Sequence, residues 1–446
     1  MNSTKMSNLS SVSCSTCGKE FSKKSGLEKH KVRKNPCKAP KALIESTVNK
    51  TLETVGLSHL GLSEFREVSK KFNSSLTKEQ RQEEGIYFTP KKARDVLFDT
   101  LKKLGVTPKT ILEPSFGSGE FLLDAKRIYP TAKLLGVEKN QELFNAVQCA
   151  EATLSCSDFL EWKGKADLII GNPPYFVMGS KKQYPCMTGR PNIYVLFLYK
   201  CLEEHLEKNG FLAFIIPTSL YNASYYQPMR DYIYKNTTIH HLENLNKPGF
   251  FETGQEVMLI VLQKKKMNDN YIFKAKNDNI YISPFYEKLY ALTENTKTIQ
   301  ELGLGVKTGN IVWNQIKDNL TEKSTNTLLI YSSNIVDSKL VLDNLKGGIK
   351  KQYVKGITKS TLTGPHILVE RGYGNSIRFN SVLVNLKSFY AENHVNVIYP
   401  KKKEDVKHLE KVLTSLQDER TLQFVSLLLS NGSISSTDME TLIPIY

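Results

Sequence analysis

Between Gly85 and Lys264 short apolar runs alternate with longer stretches whose apolar residues recur at helical spacing. Thr110–Leu112, Leu134–Val137, Ala166–Ile170 and Gly210–Ile216 predict strands, and a further strand is expected to end near Cys156. Helices are predicted over Glu120–Ile128, Gln141–Glu151 and Tyr194–Leu206. Strands separated by helices of this length predict a parallel sheet in an α/β fold. Val257–Gln263 closes the pattern and is expected to pair antiparallel with Ile239–Leu245 as a sheet edge. Beyond Lys264–Lys266 the segments become short, mixed and rich in Asn, Lys and Thr, which places a boundary near 266 and predicts an α+β region after it. The expected organisation is a disordered tail and small cysteine–histidine unit over 1–40, a partly helical linker over 41–82, the α/β domain over 83–266 and a further domain over 267–446.

The sharpest break in the pattern is Leu168-Ile169-Ile170-Gly171-Asn172-Pro173-Pro174-Tyr175. The apolar run reads as a strand buried on both faces, as parallel strands are. Two prolines fix both φ angles and remove both donors, so the strand cannot continue. A rigid loop is thereby presented at the carboxyl end of the strand, where open α/β sheets hold their ligands. It offers one amide side chain, one backbone carbonyl and one aromatic ring, a set suited to gripping a planar amino group; an ordinary surface turn rarely needs all three.

Earlier in the chain Ile111-Leu112-Glu113-Pro114-Ser115-Phe116-Gly117-Ser118-Gly119-Glu120 reads as strand, glycine loop, helix. The glycines allow a ligand to lie against the main chain. The third glycine of a dinucleotide fingerprint is missing, and Glu113 ahead of the loop suits a cation better than a pyrophosphate. Glu138 ends the next strand, where a carboxylate can accept ribose hydroxyls. Asp158 follows the third, placed to accept from an adenine amine while Phe159 packs on the ring. Each acid taken singly is also compatible with a solvated strand end. Their succession at three strand ends argues against that reading.

Composition narrows the class. The chain has 446 residues, 40% of them hydrophobic, enough for real cores. Its formal charge of +16 suits a polyphosphate partner without separating DNA from RNA or from an anionic membrane. No run approaches the length of a membrane span, and the Ser- and Asn-rich start lacks an apolar signal region. Cys14, Cys17, His30 and Cys37 stand at nearly the spacing of a ββα zinc finger, with cysteine in place of the last histidine and a longer final spacer. They predict a structural zinc site on which folding of that unit depends. Lys23, Lys24, Lys29, Lys31, Arg33 and Lys34 around it suggest nucleic-acid contact, with protein binding as the alternative. Such a finger points to a eukaryotic cell, or a large virus replicating in one, as the setting, with the protein intracellular and not secreted.

From about Gly85 to Lys264 the chain resembles the amino-methylating adenine DNA methyltransferases that use S-adenosylmethionine. The resemblance is carried by Gly85-Ile86-Tyr87-Phe88-Thr89-Pro90, Glu113 to Gly119, Glu138, Asp158-Phe159, Asn172-Pro173-Pro174-Tyr175 and Gly210 to Pro217. With the glycine loop first and a recognition region last, the order is similar to the gamma arrangement. The likeness implies a Rossmann-like methyltransferase sheet, parallel with an antiparallel edge strand, and a target-recognition domain over 267–446. It implies that Thr89, with Phe88 and Pro90, contacts the methionine part of the cofactor, and that Glu113, Pro114, Gly117 and Gly119 lie along it. Glu138 would hold the ribose, and Asp158 with Phe159 the adenine. Asn172, Pro173, Pro174 and Tyr175 would be catalytic. The target base, flipped out of the duplex, would stack on Tyr175 and on Phe251, with Phe250 as the alternative and core packing as the plain reading of both phenylalanines.

The implied reaction is methylation of adenine N6 in double-stranded DNA, as in restriction-modification systems, by a monomer that binds no membrane. An RNA adenine methyltransferase, a protein-glutamine methyltransferase and an inactive DNA-binding protein are the rival readings. Cys186, after Pro185, is read as a loop cysteine and not a nucleophile. Lys307 and Arg371 lie in glycine-containing segments that suit loops approaching DNA, or plain turns with solvated charges. The sequence shows no motif of a fused nuclease.

Overall fold

The computed structural model of the protein describes residues 12–13, 20–21, 89–147, 151–178, 184–189, 192–245, 256–342, 345, 350–371, 379–428 and 434–446. They divide into two compact units, the first drawn from 1–178 and 192–216 and the second from 179–191, 217–246 and 253–446.

At the start of the first unit the short strands β1 (Val12–Ser13) and β2 (Glu20–Phe21) pair antiparallel. Its main body is a parallel sheet of β3 (Thr110–Glu113), β4 (Lys133–Glu138), β5 (Ala152–Cys156), β6 (Ala166–Gly171) and β7 (Leu206–Pro217). The strands run in the order β5-β4-β3-β6-β7, all pairs parallel. The chain starts in the middle of the sheet and builds outward to both sides, so the order reverses between β3 and β6. Their carboxyl ends form the crevice where such folds bind ligands. The central strands are buried on both faces, as Ile111, Leu112, Leu134, Leu168, Ile169 and Ile170 show with 0% exposure. No residue of β5 is fully buried, as on an edge strand.

The helices of this unit follow local signals. In α1 (Lys91–Lys103) Ala93, Leu97, Phe98 and Leu101 form one buried stripe, Lys102 and Lys103 sit favourably in the last turn, and Gly105 at φ 68° ends the helix. α2 (Glu120–Ile128) starts from Gly119, whose φ of 71° lets the glycine loop turn straight into the helix. α3 (Gln141–Ala146) is capped by the Asn140 side chain, which accepts from the amides of Glu142 and Leu143. It stops short of the expected Glu151: Val147 is already extended, at φ −101° and ψ 92°. α4 (Ile193–Lys200) continues into a five-residue π-helical turn, Cys201–His205, and the chain enters β7 at once. The predicted helix to Leu206 is thus present with a wider final turn, and β7 starts four residues before the expected Gly210.

In the second unit β8 (Thr238–Asn244) and β9 (Val257–Gln263) form the expected antiparallel pair, and α5 (Gln227–Asn236) precedes them. A two-stranded pair, β10 (Ile272–Lys274) and β11 (Ile280–Ile282), and the helix α6 (Tyr286–Thr293) come next. A larger sheet then uses β12 (Leu304–Thr308), β13 (Leu320–Thr321), β14 (Thr327–Ile330) and, after the small pair β15 (Ile335–Val336) and β16 (Lys339–Leu340), β17 (Tyr353–Val354), β18 (Leu362–Glu370), β19 (Ser381–Ala391) and β20 (Val395–Pro400). Its order is β12-β20-β18-β19-β14-β17-β13, antiparallel except where β14 meets β19. The helices α7 (Leu409–Leu416), α8 (Glu419–Leu428) and α9 (Ser436–Leu442) close its core, with Leu409, Val412, Phe424 and Met439 buried together with Ile367 and Ile398. No helix among the described residues is long and apolar enough to cross a membrane.

Asp167 near the start of β6 ties the two central strands together, because its carboxylate accepts from the backbone amides of Lys109 (2.8 Å) and Thr110 (2.7 Å). Replacing it with alanine removes two acceptors at the strand entry. Asp167→Ala is expected to lower unfolding free energy by about 1–2 kcal/mol, read as a shifted urea midpoint at unchanged slope.

Candidate active site

Four loops meet the carboxyl ends of β3, β4, β5 and β6, and every acid singled out in the sequence stands on one of them. Glu113 is the last residue of β3, in register with Gly136; Glu138 is the last residue of β4, in register with Cys156. β6 ends at Gly171, whose φ of 149° is open to glycine and strained for other residues. A Cβ built there would lie 3.7 Å from both Glu113 Cγ and Pro114 Cδ, so the entry to the glycine loop and the Asn-Pro-Pro-Tyr loop are direct neighbours.

Asn172 follows, half-buried, with its amide held. Its Nδ2 donates to Thr89 Oγ1 at 3.0 Å, and its Oδ1 meets the Tyr175 hydroxyl. The same hydroxyl lies 2.6 Å from the Ile215 carbonyl on β7. A phenol has one proton, so Tyr175 serves these two acceptors alternately. Its ring is 9% exposed and meets Tyr194 edge-on at 6.1 Å, and burial holds its hydroxyl well above the usual tyrosine range. Pro173 is buried and Pro174 half-buried. The loop bends back over its own sheet and is anchored there by the tyrosine.

Glu113 is 2% exposed, and its Oε2 is buried without a hydrogen-bond partner. Burial holds its carboxyl well above the ordinary range; the positive charge of Arg94 opposes this, and the negative charges of Glu138 and Glu120 add to it. Glu138 is 9% exposed and accepts from the amides of Gly117 (2.9 Å) and Asn140 (2.7 Å). Burial raises its pKa and those two amides pull it back. Asp158 accepts from the Leu160 amide at 3.0 Å and pairs with the exposed Lys139 at 2.7 Å. The Phe159 ring is 2% exposed and packed 4.9 Å from both Phe197 and His205, so what this residue can turn toward a ligand is main chain. Gly117 and Gly119 take φ of 52° and 71°.

Two residues near the loop escaped the sequence reading. Ser115 carries a second buried, unpartnered side-chain oxygen. Arg94 is 5% exposed and reaches the Thr89 carbonyl, Glu120 and Asp124. The signal for Arg94 was present, since a cation in register with Leu97, Phe98 and Leu101 lies on the apolar face of its helix and needs buried partners.

Phe88, Phe250, Phe251, Cys14, Cys17, His30 and Cys37 lie outside the described residues. Among the described residues no group of three or more His, Cys, Asp and Glu is placed to hold a metal. Cys186 is buried, and burial pushes its thiol up to about 12, which leaves almost no thiolate at neutral pH. In the second unit Lys307 is exposed with its ammonium 4.7 Å from the Tyr399 ring centroid. Arg371 leans on the Asn393 carbonyl at 3.5 Å and keeps a buried, unpartnered Nε.

The pattern that defines the Eco57I restriction-modification methylases matches residues 113–251, from Glu113 at the end of β3 through the Asn-Pro-Pro-Tyr loop. Over 395 residues the chain is 31% identical to the type II methyltransferase M.CvrRI of Paramecium bursaria Chlorella virus XZ-6E, covering 86% of this chain and 99% of that one. It is 32% identical over 403 residues to the modification methylase CviBIII of Paramecium bursaria Chlorella virus NC1A, covering 87% and 100%. The chain belongs to the type II restriction-modification methylase family. It is an S-adenosylmethionine-dependent methyltransferase with a methyltransferase-like α/β fold that combines parallel and antiparallel strands. A partial match, 28% identical over 240 residues, is the type II methyltransferase M.AccI of Acinetobacter calcoaceticus, covering 48% of this methyltransferase and 42% of that protein.

The burial of Glu113, with one carboxylate oxygen lacking a partner, has a consequence for stability. Its folded-state pKa lies above its unfolded one, so ionisation in the fold costs stability, by an amount that grows as pH rises above the ordinary carboxyl range and levels off once the group is charged. Glu113→Gln removes that cost. The ligand-free variant is expected to melt above the parent protein at neutral and alkaline pH, with the gap closing in acid; calorimetry across pH measures it.

Proposed function

We propose that this methyltransferase acts as a gamma-arrangement enzyme on DNA, methylating the exocyclic N6 amine of an adenine flipped out of a specific duplex sequence. The observation that carries the reading is the Asn172 amide, held by Thr89 just past the end of β6, followed by two prolines and preceded by Gly171, which neighbours the buried Glu113. When bound, S-adenosylmethionine supplies a methyl group on a sulfonium. The residues present fit such a molecule: an unpartnered buried carboxylate oxygen suits a cation, and Glu138 keeps lone pairs for two ribose hydroxyls. Thr89 with Phe88 and Pro90 would border its methionine end, Glu113, Pro114, Gly117 and Gly119 would run along it, and Asp158 with the Phe159 main chain would face its adenine.

The chain's own part in the chemistry is to make a poor nucleophile reactive. The lone pair of the adenine amine is delocalised into the ring, and two acceptors on its N–H bonds favour a tetrahedral nitrogen. Asn172 Oδ1 and the Pro173 carbonyl are that pair, preorganised by the proline stop and by Thr89. The Ile215 carbonyl offers the Tyr175 proton another acceptor, so Oδ1 can exchange the tyrosine for the substrate amine and leave no buried hydroxyl unsatisfied. Tyr175 and Phe251 would flank the extruded base.

Residues 267–446 are the proposed target-recognition domain. Cys14, Cys17, His30 and Cys37 are the proposed zinc ligands; the strand pair β1–β2, which brackets Cys14 and Cys17 in sequence, supports a ββα finger.

Expression in a methylation-free host followed by modified-base sequencing is expected to find N6-methyladenine in one sequence context. Label appearing only in structured RNA would sink the DNA reading. Asn172→Ala is expected to lower turnover at least about a hundredfold while calorimetry still detects cofactor binding; Glu113→Gln is expected to weaken that binding roughly tenfold to a hundredfold. Chelation is expected to release one zinc per chain (a single tetrahedral site) and spare methyl transfer to short duplexes. A metal-free preparation with no zinc to release removes the finger.

A further inference from the structure

The buried ion cluster around Arg94 lies outside the residues assigned above. From α1 the guanidinium reaches α2, donating from Nε to Asp124 at 2.7 Å and from Nη1 to Glu120. Nη1 also donates to the Thr89 carbonyl at 2.6 Å. The side chains of Arg94, Glu120 and Asp124 are all nearly buried, at 6%, 11% and 3% exposure, and Arg127 adds a second, solvent-facing cation on Asp124 at 3.3 Å. An arrangement that buries three charges and spends one donor on a main-chain carbonyl holds that carbonyl in place. Thr89 is the residue held, and its Oγ1 is the acceptor for Asn172 Nδ2. A chain of hydrogen bonds therefore runs from the first turns of α2, through Arg94 and Thr89, to the amide at the end of β6.

We propose that Arg94 is a positioning residue for methyl transfer: it fixes Thr89 so that the threonine hydroxyl sets the rotation of the Asn172 amide and keeps Oδ1 toward the incoming amine. The inference rests on the reading of Asn172 as an acceptor for that amine. An amide free to rotate presents nitrogen as readily as oxygen, and an N–H facing the substrate amine repels the hydrogens it should accept. Lysine at position 94 keeps the charge but lacks the planar fork that holds Asp124 and the Thr89 carbonyl together. The effect belongs chiefly in the rate of the chemical step, because these atoms set the Asn172 amide and none belongs to the proposed target-recognition domain.

The test is a double-mutant cycle on full-length protein, with single-turnover rate, DNA affinity by gel shift and cofactor affinity by calorimetry read separately. Thr89→Val is expected to slow the chemical step roughly tenfold to a hundredfold, and Thr89→Ser to restore most of it. Arg94→Lys is expected to slow it comparably in the parent and to add almost nothing in Thr89→Val, since the hydroxyl through which it acts is then gone. DNA affinity should stay within about twofold. Multiplicative losses in the double variant, or parental rates in Arg94→Lys, overturn the proposal. Should Arg94→Lys not fold, Asp124→Asn loosens the same guanidinium with little change of shape and takes its place in the cycle. Parental turnover in Asn172→Ala would instead remove the underlying reading of the amide. Loss there together with an additive cycle removes only the role of Arg94.

Discussion

The abrupt end of β6 is the constraint on which this candidate active site depends. A buried strand carries its register up to Gly171, and two prolines then deny the chain any further pairing. The residue between them, Asn172, inherits the rigidity of both sides. The sheet fixes its position, the prolines fix the direction in which the chain leaves, and Thr89 fixes its amide. Tyr175 closes the loop by returning its hydroxyl to β7 at Ile215.

Around that fixed point the first unit gathers unfavourable electrostatics. The negative charges of Glu120 and Glu138 bear on Glu113, and Arg94 is the buried cation that opposes them while pairing with Glu120 and Asp124. The balance is incomplete, and the deficit sits on Glu113, whose buried Oε2 has no hydrogen-bond partner. Storing a buried, unsatisfied acid destabilises the ligand-free protein and makes the same spot attractive to a cation. Sites of this kind are where a fold departs from its own stability optimum.

Much of this is legible in the sequence. The alternation of strands and helices, the stop at Asn172-Pro173-Pro174 and the acids at three successive strand ends were read from spacing and residue type, and the strands stand within a few residues of where they were expected. Two element boundaries differ for local reasons. The helix after Asn140 is shorter because Val147 turns extended, and β7 begins sooner because the π-helical turn delivers the chain directly into it. The Phe159 ring, read as a surface for adenine, is taken up by Phe197 and His205 from elements about forty residues away. Arg94 and its helix were not among the predicted elements, and the partners that bury the guanidinium lie on other segments of the chain.

The sequence by itself determined the class of fold and the order of its chemistry, since hydrophobic period, glycine and proline are local properties that act through the backbone of their own segment. Only the tertiary structure decided which polar atoms are satisfied. Whether Glu113 keeps an orphaned oxygen, which carbonyl takes the Tyr175 proton and what Arg94 holds are questions of burial and distance between residues 5 to 83 positions apart. Such pairings cost or stabilise according to how completely water is excluded, and no single segment carries that information.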